Sequence, residues 1–406
     1  METLKILTTT TFYPPYHVGG DAIHVYYLAN ELIKLGHEIH VIYNIESYRL
    51  KKKDILKNEN EFQNDENIYM YPIKSPIGRI TPIISYILGT LYPVQNKIAN
   101  LINKIKPDVI HHHNIAGFGP FILKMDAPKV LYTAHDYWLV CPMNSMLLPN
   151  GRECNKDANC FLCSLLHKRP IQLWRYWTNL ERTLERINTI IAPSKFMKNK
   201  LSKFGIKRPI SVIYNFVPEI NNENLGDPIV KEPYFLFVGV LERHKGILEL
   251  IETFSEIKDN IDAKLVIVGS GSLEEKIKKI IEAKNIKHSI IITGRINKKK
   301  VLSNLYRNAL ATIIPSICPE NNPLVALESI SMGTPVITSN KGGLPEITSN
   351  IDKQLIFKTY DELPEILLGF NRDKYPTEDI KKIYMKCYSP KAYIQNYTEI
   401  IRGDKV

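Results

Sequence analysis

Residues 311–336 carry the most pointed chemistry in this 406-residue chain. Ile313 and Ile314 read as the end of a strand, Asn321 or Asn322 as the cap of the following helix, and Pro323 as a first-turn residue. The N–H groups of Leu324 and Val325 would then stand free at a helix start, which suits a phosphate. Glu320 lies in the loop just before them and Glu328 further along the helix, so two carboxylates can meet two parts of one ligand. Neither has an evident cation beside it in sequence. Glu328 taken alone reads equally as a solvated residue on an ordinary surface helix.

Other groups could do chemistry. His135 and Asp136 fall just after a strand-like run, where a ligand-facing loop is expected; a structural pair closing that loop is the alternative. His111, His112 and His113 also follow a strand; they read as a loop packed by one inward His in the first place, and otherwise as part of a site, with His113 the candidate to face a substrate. Three adjacent imidazoles on an extended chain cannot face one point, so this triplet is not read as a metal site. Cys141, Cys154, Cys160 and Cys163 form C-x12-C-x5-C-x2-C. Four thiolates satisfy tetrahedral zinc, giving either a structural zinc ion or small buried thiols. From Lys168 to Trp177, cations alternate with Trp and Tyr, and Lys51, Lys52 and Lys53 add charge nearby. That pattern suits an anionic membrane surface, or a core-packed helix with a basic outer face.

The elements that must position these groups follow from periodicity. Strand-like runs at 4–9, 38–43, 109–110, 130–132 and 189–192 alternate with helical patterns, and a second set lies at 234–238, 265–268, 290–292, 311–314 and 335–338. Alternation of this kind means parallel sheets covered on both faces: an α/β chain of two Rossmann-like, doubly wound domains. Ile23, Tyr26, Tyr27, Ala29, Leu32, Ile33 and Leu35 recur at helical spacing, with Gly36 placed to end that helix. The organisation expected is a first domain over 1–215 with a cysteine-rich insert at 138–168, a linker over 216–232, a second domain over 233–385 and a terminal helix within 386–406. The formal net charge of +11 draws anions, or reflects a Lys-rich composition alone. No helix-turn-helix, zinc-finger or RNA-binding module is recognisable, so nucleic acid is not an expected partner. The apolar run 81–94 is interrupted by Pro82, Gly89 and Pro93 and is too short to span a bilayer, and the start shows no secretory signal. The expected location is cytoplasmic, peripheral on the inner face of the cell membrane.

The same residues resemble a known family. Glu320 and Glu328 match the E-x7-E signature of retaining GT-B glycosyltransferases of family 4 (glycosyl transferases group 1), and Gly342, Gly343 and Glu346 match its G-G-x-x-E block. Residues 238–246 resemble its V-G-R-L…K-G element, 266–271 its V-G-x-G turn, and 17–20 with 35–39 its opening. His135 and Asp136 resemble its H-D element, and sequences of this subgroup often carry a cysteine-rich insert after H-D-Y-W. The resemblance runs in order along nearly the whole chain.

It implies a GT-B fold with the two domains facing each other across a cleft and the terminal helix crossing back. It implies hexosyl transfer from a nucleotide-sugar donor to a glycan or lipid-linked acceptor, in cell-envelope polysaccharide or glycoconjugate synthesis, with no cofactor required for catalysis. The rival readings are a GT-B epimerase or phosphorylase and a non-catalytic nucleotide-sugar-binding protein. Carried over by position, Glu320 contacts hydroxyls of the donor sugar, Glu328 the ribose, and Lys245 the diphosphate. Gly19 and Gly20 approach the leaving phosphate through backbone N–H groups, and Gly342 and Gly343 do likewise. His135 donates a hydrogen bond to sugar or pyrophosphate, and Asp136 holds it or takes the acceptor proton. The family often carries an Arg where this chain has Val240, so the phosphate clamp is one cation short unless Arg243 or His244 swings in.

Overall fold

A computed structural model describes residues 3–51, 62, 64–220 and 225–403. The chain divides into two compact units, Met1–Tyr214 with Ile394–Val406, and Asn215–Tyr393.

The first unit is built on seven strands: β1 (Lys5–Thr10), β2 (Glu38–Asn44), β3 (Ile68–Ile73), β4 (Val109–His112), β5 (Lys129–Thr133), β6 (Thr189–Ala192) and β7 (Ile210–Val212). They pair in the order β3-β2-β1-β4-β5-β6-β7, and every pairing is parallel. Central β1 is buried from Ile6 to Thr10, as a strand with layers on both faces must be. The helix Gly20–Lys34 turns its Ala22, Val25, Leu28, Ala29 and Leu32 inward. It ends where Gly36 takes φ +83°, with Gly36 N–H donated to Ile33 O (2.8 Å) and His37 N–H to Leu32 O (3.2 Å).

The second unit holds β8 (Tyr234–Val238), β9 (Lys264–Val268), β10 (Ile290–Gly294), β11 (Thr312–Ile314), β12 (Val336–Ser339) and β13 (Ile356–Phe357). Their order is β10-β9-β8-β11-β12-β13, again all parallel. Its core packs Phe235, Phe237, Leu250, Phe254, Ile267 and Ile313. Strand order reverses between β1 and β4 in one sheet and between β8 and β11 in the other. Those are the switch points at which loops part and ligands bind in such sheets.

Residues 216–232, expected as a linker, fall inside the second unit. Tyr384 donates its hydroxyl to Val217 O (2.7 Å), and Asn304 Nδ2 to the carbonyls of Leu225 (3.0 Å) and Asp227 (2.8 Å). Near the other end of the chain is the helix Pro390–Arg402. Its Tyr397 belongs to the first unit, where its hydroxyl lies 3.0 Å from His111 Nδ1.

Candidate functional site

On the second unit, the loop after β8 and the loop after β11 meet at the switch point. The first forms a short turn, Arg243–Lys245, closed by Gly246 at φ +72°. A Cβ on Gly246 would stand 1.8 Å from Pro315 O, so only glycine lets this turn lie against the end of β11. The close approach places Lys245 Nζ 2.5 Å from Glu320 Oε1, which also accepts from Ser316 Oγ at 2.8 Å. Burial pushes the Glu320 carboxyl up, but Lys245 and Ser316 outweigh it and hold it below the ordinary range. Burial works against the Lys245 ammonium, and Glu320 more than restores it, leaving it above its usual value. Glu320, without an obvious cation in sequence, thus has one from 75 residues away.

The helix after β11 spans Leu324–Ser331. Its N-cap is Pro323, with no side-chain cap. The expected Asn cap is corrected: proline takes the cap position, and the Asn322 side chain turns inward. Asn322 is 2% exposed, and neither its Nδ2 nor its Oδ1 has a hydrogen-bond partner among the described residues. A buried amide left unpaired costs about 1–3 kcal/mol, so a polar ligand is its natural complement. The first N–H groups of this helix, on Leu324 and Val325, have no side-chain cap either, as expected for an anion site. Further along, Glu328 Oε2 accepts the Tyr306 hydroxyl at 2.9 Å. Burial raises the Glu328 carboxyl and this bond partly offsets it.

Three residues stand elsewhere than expected. Arg243 pairs with Glu249 (2.6 Å), is largely exposed, and is turned to that partner instead of to Lys245 and Glu320. Gly342 and Gly343 serve the loop that carries Glu320. A Cβ on Gly342 would lie 2.0 Å from Glu320 O, and Gly343 donates its N–H to that same oxygen at 2.6 Å. With its N–H so engaged, Gly343 positions Glu320 in place of binding a phosphate.

On the first unit, the switch point gathers Gly19, Asp21, His113, Asn114 and His135. Gly19 caps the helix Gly20–Lys34 at φ +90° with no side-chain cap, so the N–H groups at Gly20 are offered to an anion. Asp21 in the same turn accepts from Asn114 Nδ2 at 2.6 Å, and Asn114 Oδ1 is held by Thr11 Oγ1 at 3.0 Å. His111 and His113 share one face of the chain, with rings 3.9 Å apart, while His112 turns to the other face and meets Thr9 Oγ1 at 2.7 Å. This is the two-residue period of extended chain.

His113 Nδ1 lies 2.9 Å from His135 Nε2. Burial drives His113 well below the ordinary imidazole range, and neighbouring imidazoles add to it. Burial lowers His135 to about 4 despite the opposing charge of Asp21. Both rings are therefore neutral at physiological pH, one donating to the other. Asp136 is not the partner of His135. Its carboxylate accepts Trp138 N–H (2.9 Å) and Asn144 Nδ2 (3.0 Å), closing its own loop, and burial raises it to about 6.

Sequence reasoning missed Asp21, Asn114, Tyr306 and Ser316. Only Asp21 carried a readable signal, as an acid directly after a glycine pair.

The four insert cysteines are free thiols, and burial raises Cys154 to about 11 with Cys141, Cys160 and Cys163 close enough to add to the shift. Among the described residues, no group of three or more His, Cys, Asp or Glu is arranged to hold a metal ion. In the basic aromatic segment, Arg175 is a core residue: its guanidinium stacks on Trp174 (4.4 Å) and donates to the carbonyls of Trp138 and Leu139. Lys52 and Lys53 lie outside the described residues. No helix among those described is long and apolar enough to cross a membrane.

Comparison with known proteins fits this architecture. Residues 18–219 match the family model "Glycosyltransferase Family 4", and residues 220–378 match "Glycosyl transferases group 1". An uncharacterised glycosyltransferase of Methanocaldococcus jannaschii is 28% identical over 85% of this chain and 82% of its own length. N-acetyl-alpha-D-glucosaminyl L-malate synthase of Bacillus anthracis is 21% identical over 99% of both chains. Among solved structures, Anabaena HepE in complex with UDP superposes with a TM-score of 0.66 at 13% identity, covering 98% of this chain and 100% of its own. The fold is that of GT-B glycosyltransferases.

Proposed function

We propose that this chain, which carries a family 4 and a group 1 glycosyltransferase domain, moves a hexosyl group from a nucleoside-diphosphate sugar to a hydroxyl of a glycan or lipid-linked acceptor, with retention of configuration. The observation that carries the reading is the Lys245–Glu320 pair at the β8/β11 switch point, in the unit that also holds the unpartnered Asn322 amide.

The chemistry follows from where charge develops. As the bond between the anomeric carbon and the diphosphate oxygen breaks, positive charge grows on the sugar and negative charge on the leaving group. Lys245 turns from Glu320 to the diphosphate, and the N–H groups of Leu324 and Val325 with the Asn322 amide complete a preorganised anion site. Glu320, kept ionised, accepts hydroxyls of the donor sugar, and Glu328 accepts those of the ribose. The acceptor oxygen attacks from the face the diphosphate leaves, and its proton passes to the departing phosphate oxygen. On the first unit, the uncapped helix start at Gly20 offers N–H groups to an anion. His135, neutral and oriented by His113, offers a hydrogen bond to a substrate hydroxyl.

The relatives that support the envelope-glycan assignment include a lipopolysaccharide 1,2-N-acetylglucosaminetransferase of Salmonella typhimurium, 30% identical over 39% of this chain and 45% of its own length. The reaction would take place at the inner face of the cell membrane. The test is acceptor-dependent release of free nucleotide from UDP-, GDP- and ADP-sugars, with the anomeric configuration of the product read by NMR. Nucleotide release indifferent to acceptor, or an inverted product, overturns the proposal. A thermal shift with one nucleotide and no turnover leaves a binding protein instead.

A further inference from the structure

At the switch point of the first unit, two strand ends hold one carboxylate more firmly than its place on a helix requires. Thr11, just after β1, donates its N–H to Asn114 O at 2.6 Å, and its hydroxyl oxygen accepts Gly117 N–H at 2.9 Å. Asn114, two residues after β4, has an amide oxygen that is doubly engaged: Oδ1 accepts Ala116 N–H at 3.1 Å and lies 3.0 Å from the Thr11 hydroxyl. The amide is therefore fixed against a flip, and its Nδ2 must face Asp21, donating to Oδ2 at 2.6 Å. Asp21 Oδ1 takes no hydrogen bond among the described residues, and no lysine or arginine there is ion-paired with the carboxylate. This second oxygen lies beside Gly19, where a Cβ would come within 2.8 Å of it. Gly19 is exposed, so bare backbone leaves Oδ1 open.

An aspartate in a first turn offsets its helix dipole, but that needs neither a strand-borne network nor an uncovered oxygen. The surroundings of Oδ1 point to a ligand. Asp21 is near enough for its charge to act on both His135 and Asp136. His113 Nε2, fully buried, has no partner among the described residues. Burial keeps both imidazoles neutral, so His135 can donate a hydrogen bond without bringing charge. A donor and a carboxylate acceptor side by side fit hydroxyls, which give one hydrogen bond and take another; a phosphate or carboxylate only accepts. Charge agrees. An anion at the Gly20 N–H groups uses up the roughly half positive charge of that helix start. Asp21 and an acid on the acceptor would then face each other with no cation between them. Resting on the transfer reaction, we propose that Asp21 Oδ1 binds a hydroxyl neighbouring the attacking one, and that the acceptor end held there is a neutral sugar, not a hydroxy acid or a sugar phosphate. Asp21 orients the acceptor and takes no proton from it.

Binding and turnover of the full chain test this separately. Saturation-transfer NMR with the methyl glycosides of glucose, galactose and mannose should show at least one bound by the wild type. Asp21→Asn should weaken that binding by about 10- to 100-fold, the worth of a hydrogen bond to a charged group. Asn114→Ala leaves the charge but frees it, and should cost less. An unchanged far-UV spectrum shows that each variant is folded. In turnover with the nucleotide sugar that the wild type uses, Asp21→Asn should raise the acceptor KM by the same factor and leave the donor KM alone. Malate and glucose 6-phosphate should be poorer acceptors than methyl glucoside by about tenfold or more in kcat/KM. The inference is overturned by a wild type that binds no methyl glycoside, by equal binding in Asp21→Asn, or by a preference for malate or the sugar phosphate. A lower Tm in Asp21→Asn with binding unchanged would leave Asp21 a helix-dipole residue only. Asp21-dependent binding without acceptor-dependent nucleotide release would remove the transfer reaction and keep the carboxylate as a sugar ligand.

Discussion

Replacing Lys245 by Met separates two roles that the structure gives one side chain. Its Nζ lies 2.5 Å from Glu320 Oε1, with the side chains 25% and 14% exposed. Breaking a fully buried pair by removing one partner costs about 3–5 kcal/mol; partial exposure here brings the expectation to about 2 kcal/mol. For a unit of this size that is a fall in Tm of about 4–8 °C. The pH dependence carries the sign. In the wild type, Glu320 sits below its ordinary value, so the pair stabilises above the unfolded-state pKa and is lost as pH falls through the folded one. In the variant, burial acts on Glu320 without Lys245, its pKa rises, and acid relieves the unpaired charge. The gap in Tm between the two proteins should therefore narrow from about pH 7.5 to pH 5. Nucleotide affinity should fall about 10- to 100-fold, the worth of one charge-assisted bond to a diphosphate, read by calorimetry with UDP and GDP. Turnover should fall at least as far. Loss of Tm with wild-type nucleotide affinity would make Lys245 a structural partner of Glu320 and remove it from the site.

Other outcomes follow from the same geometry. Asn322→Leu removes an unpaired buried amide, so it should raise Tm by a few degrees while weakening nucleotide binding; loss of both would mean the amide is satisfied within the fold. Asp136 is raised to about 6, so the folded state favours its protonated form, and that contribution to stability is lost as pH rises through about 6. Asp136→Asn should flatten the stability profile between about pH 4 and 7, on the order of 3 kcal/mol, and an unchanged profile would refute the assignment. Native thiol titration should find Cys160, the exposed member of the insert four, reacting first, with no metal in the purified protein by elemental analysis. One zinc per chain, with Tm lowered by chelator, would show that these thiols rearrange around an ion.

Much of the frame was legible because buried parallel strands read as short runs of aliphatic, β-branched and aromatic residues: the central strands β1, β4, β5, β8, β9 and β11 all coincide with such runs. The strands that escaped, β3, β7 and β13, are three of the four sheet edges. They are short, or carry exposed residues and a proline, as in β3 with Tyr69, Met70 and Pro72, so their pattern blurs. At the site, Glu320 and Glu328 were visible through their spacing around a helix start. What spacing could not show was pairing across the sheet. Lys245 reaches Glu320 because Gly246 permits a close approach, and Tyr306 reaches Glu328 from a neighbouring helix. The glycine pair 342–343 was read as ligand-facing because glycine permits close approach in general; here the approaching group is the backbone of Glu320.

The hydrogen bond between His111 and Tyr397 spans 286 residues of sequence. The imidazole packing inside the first unit is thus completed by a side chain that follows the whole second unit in sequence. A nascent chain holding all seven strands of that unit would still lack this stopper while the second unit emerges from the ribosome. Replacing Tyr397 by Ala should then leave the first unit kinetically labile and prone to proteolysis, even though every one of its strands remains.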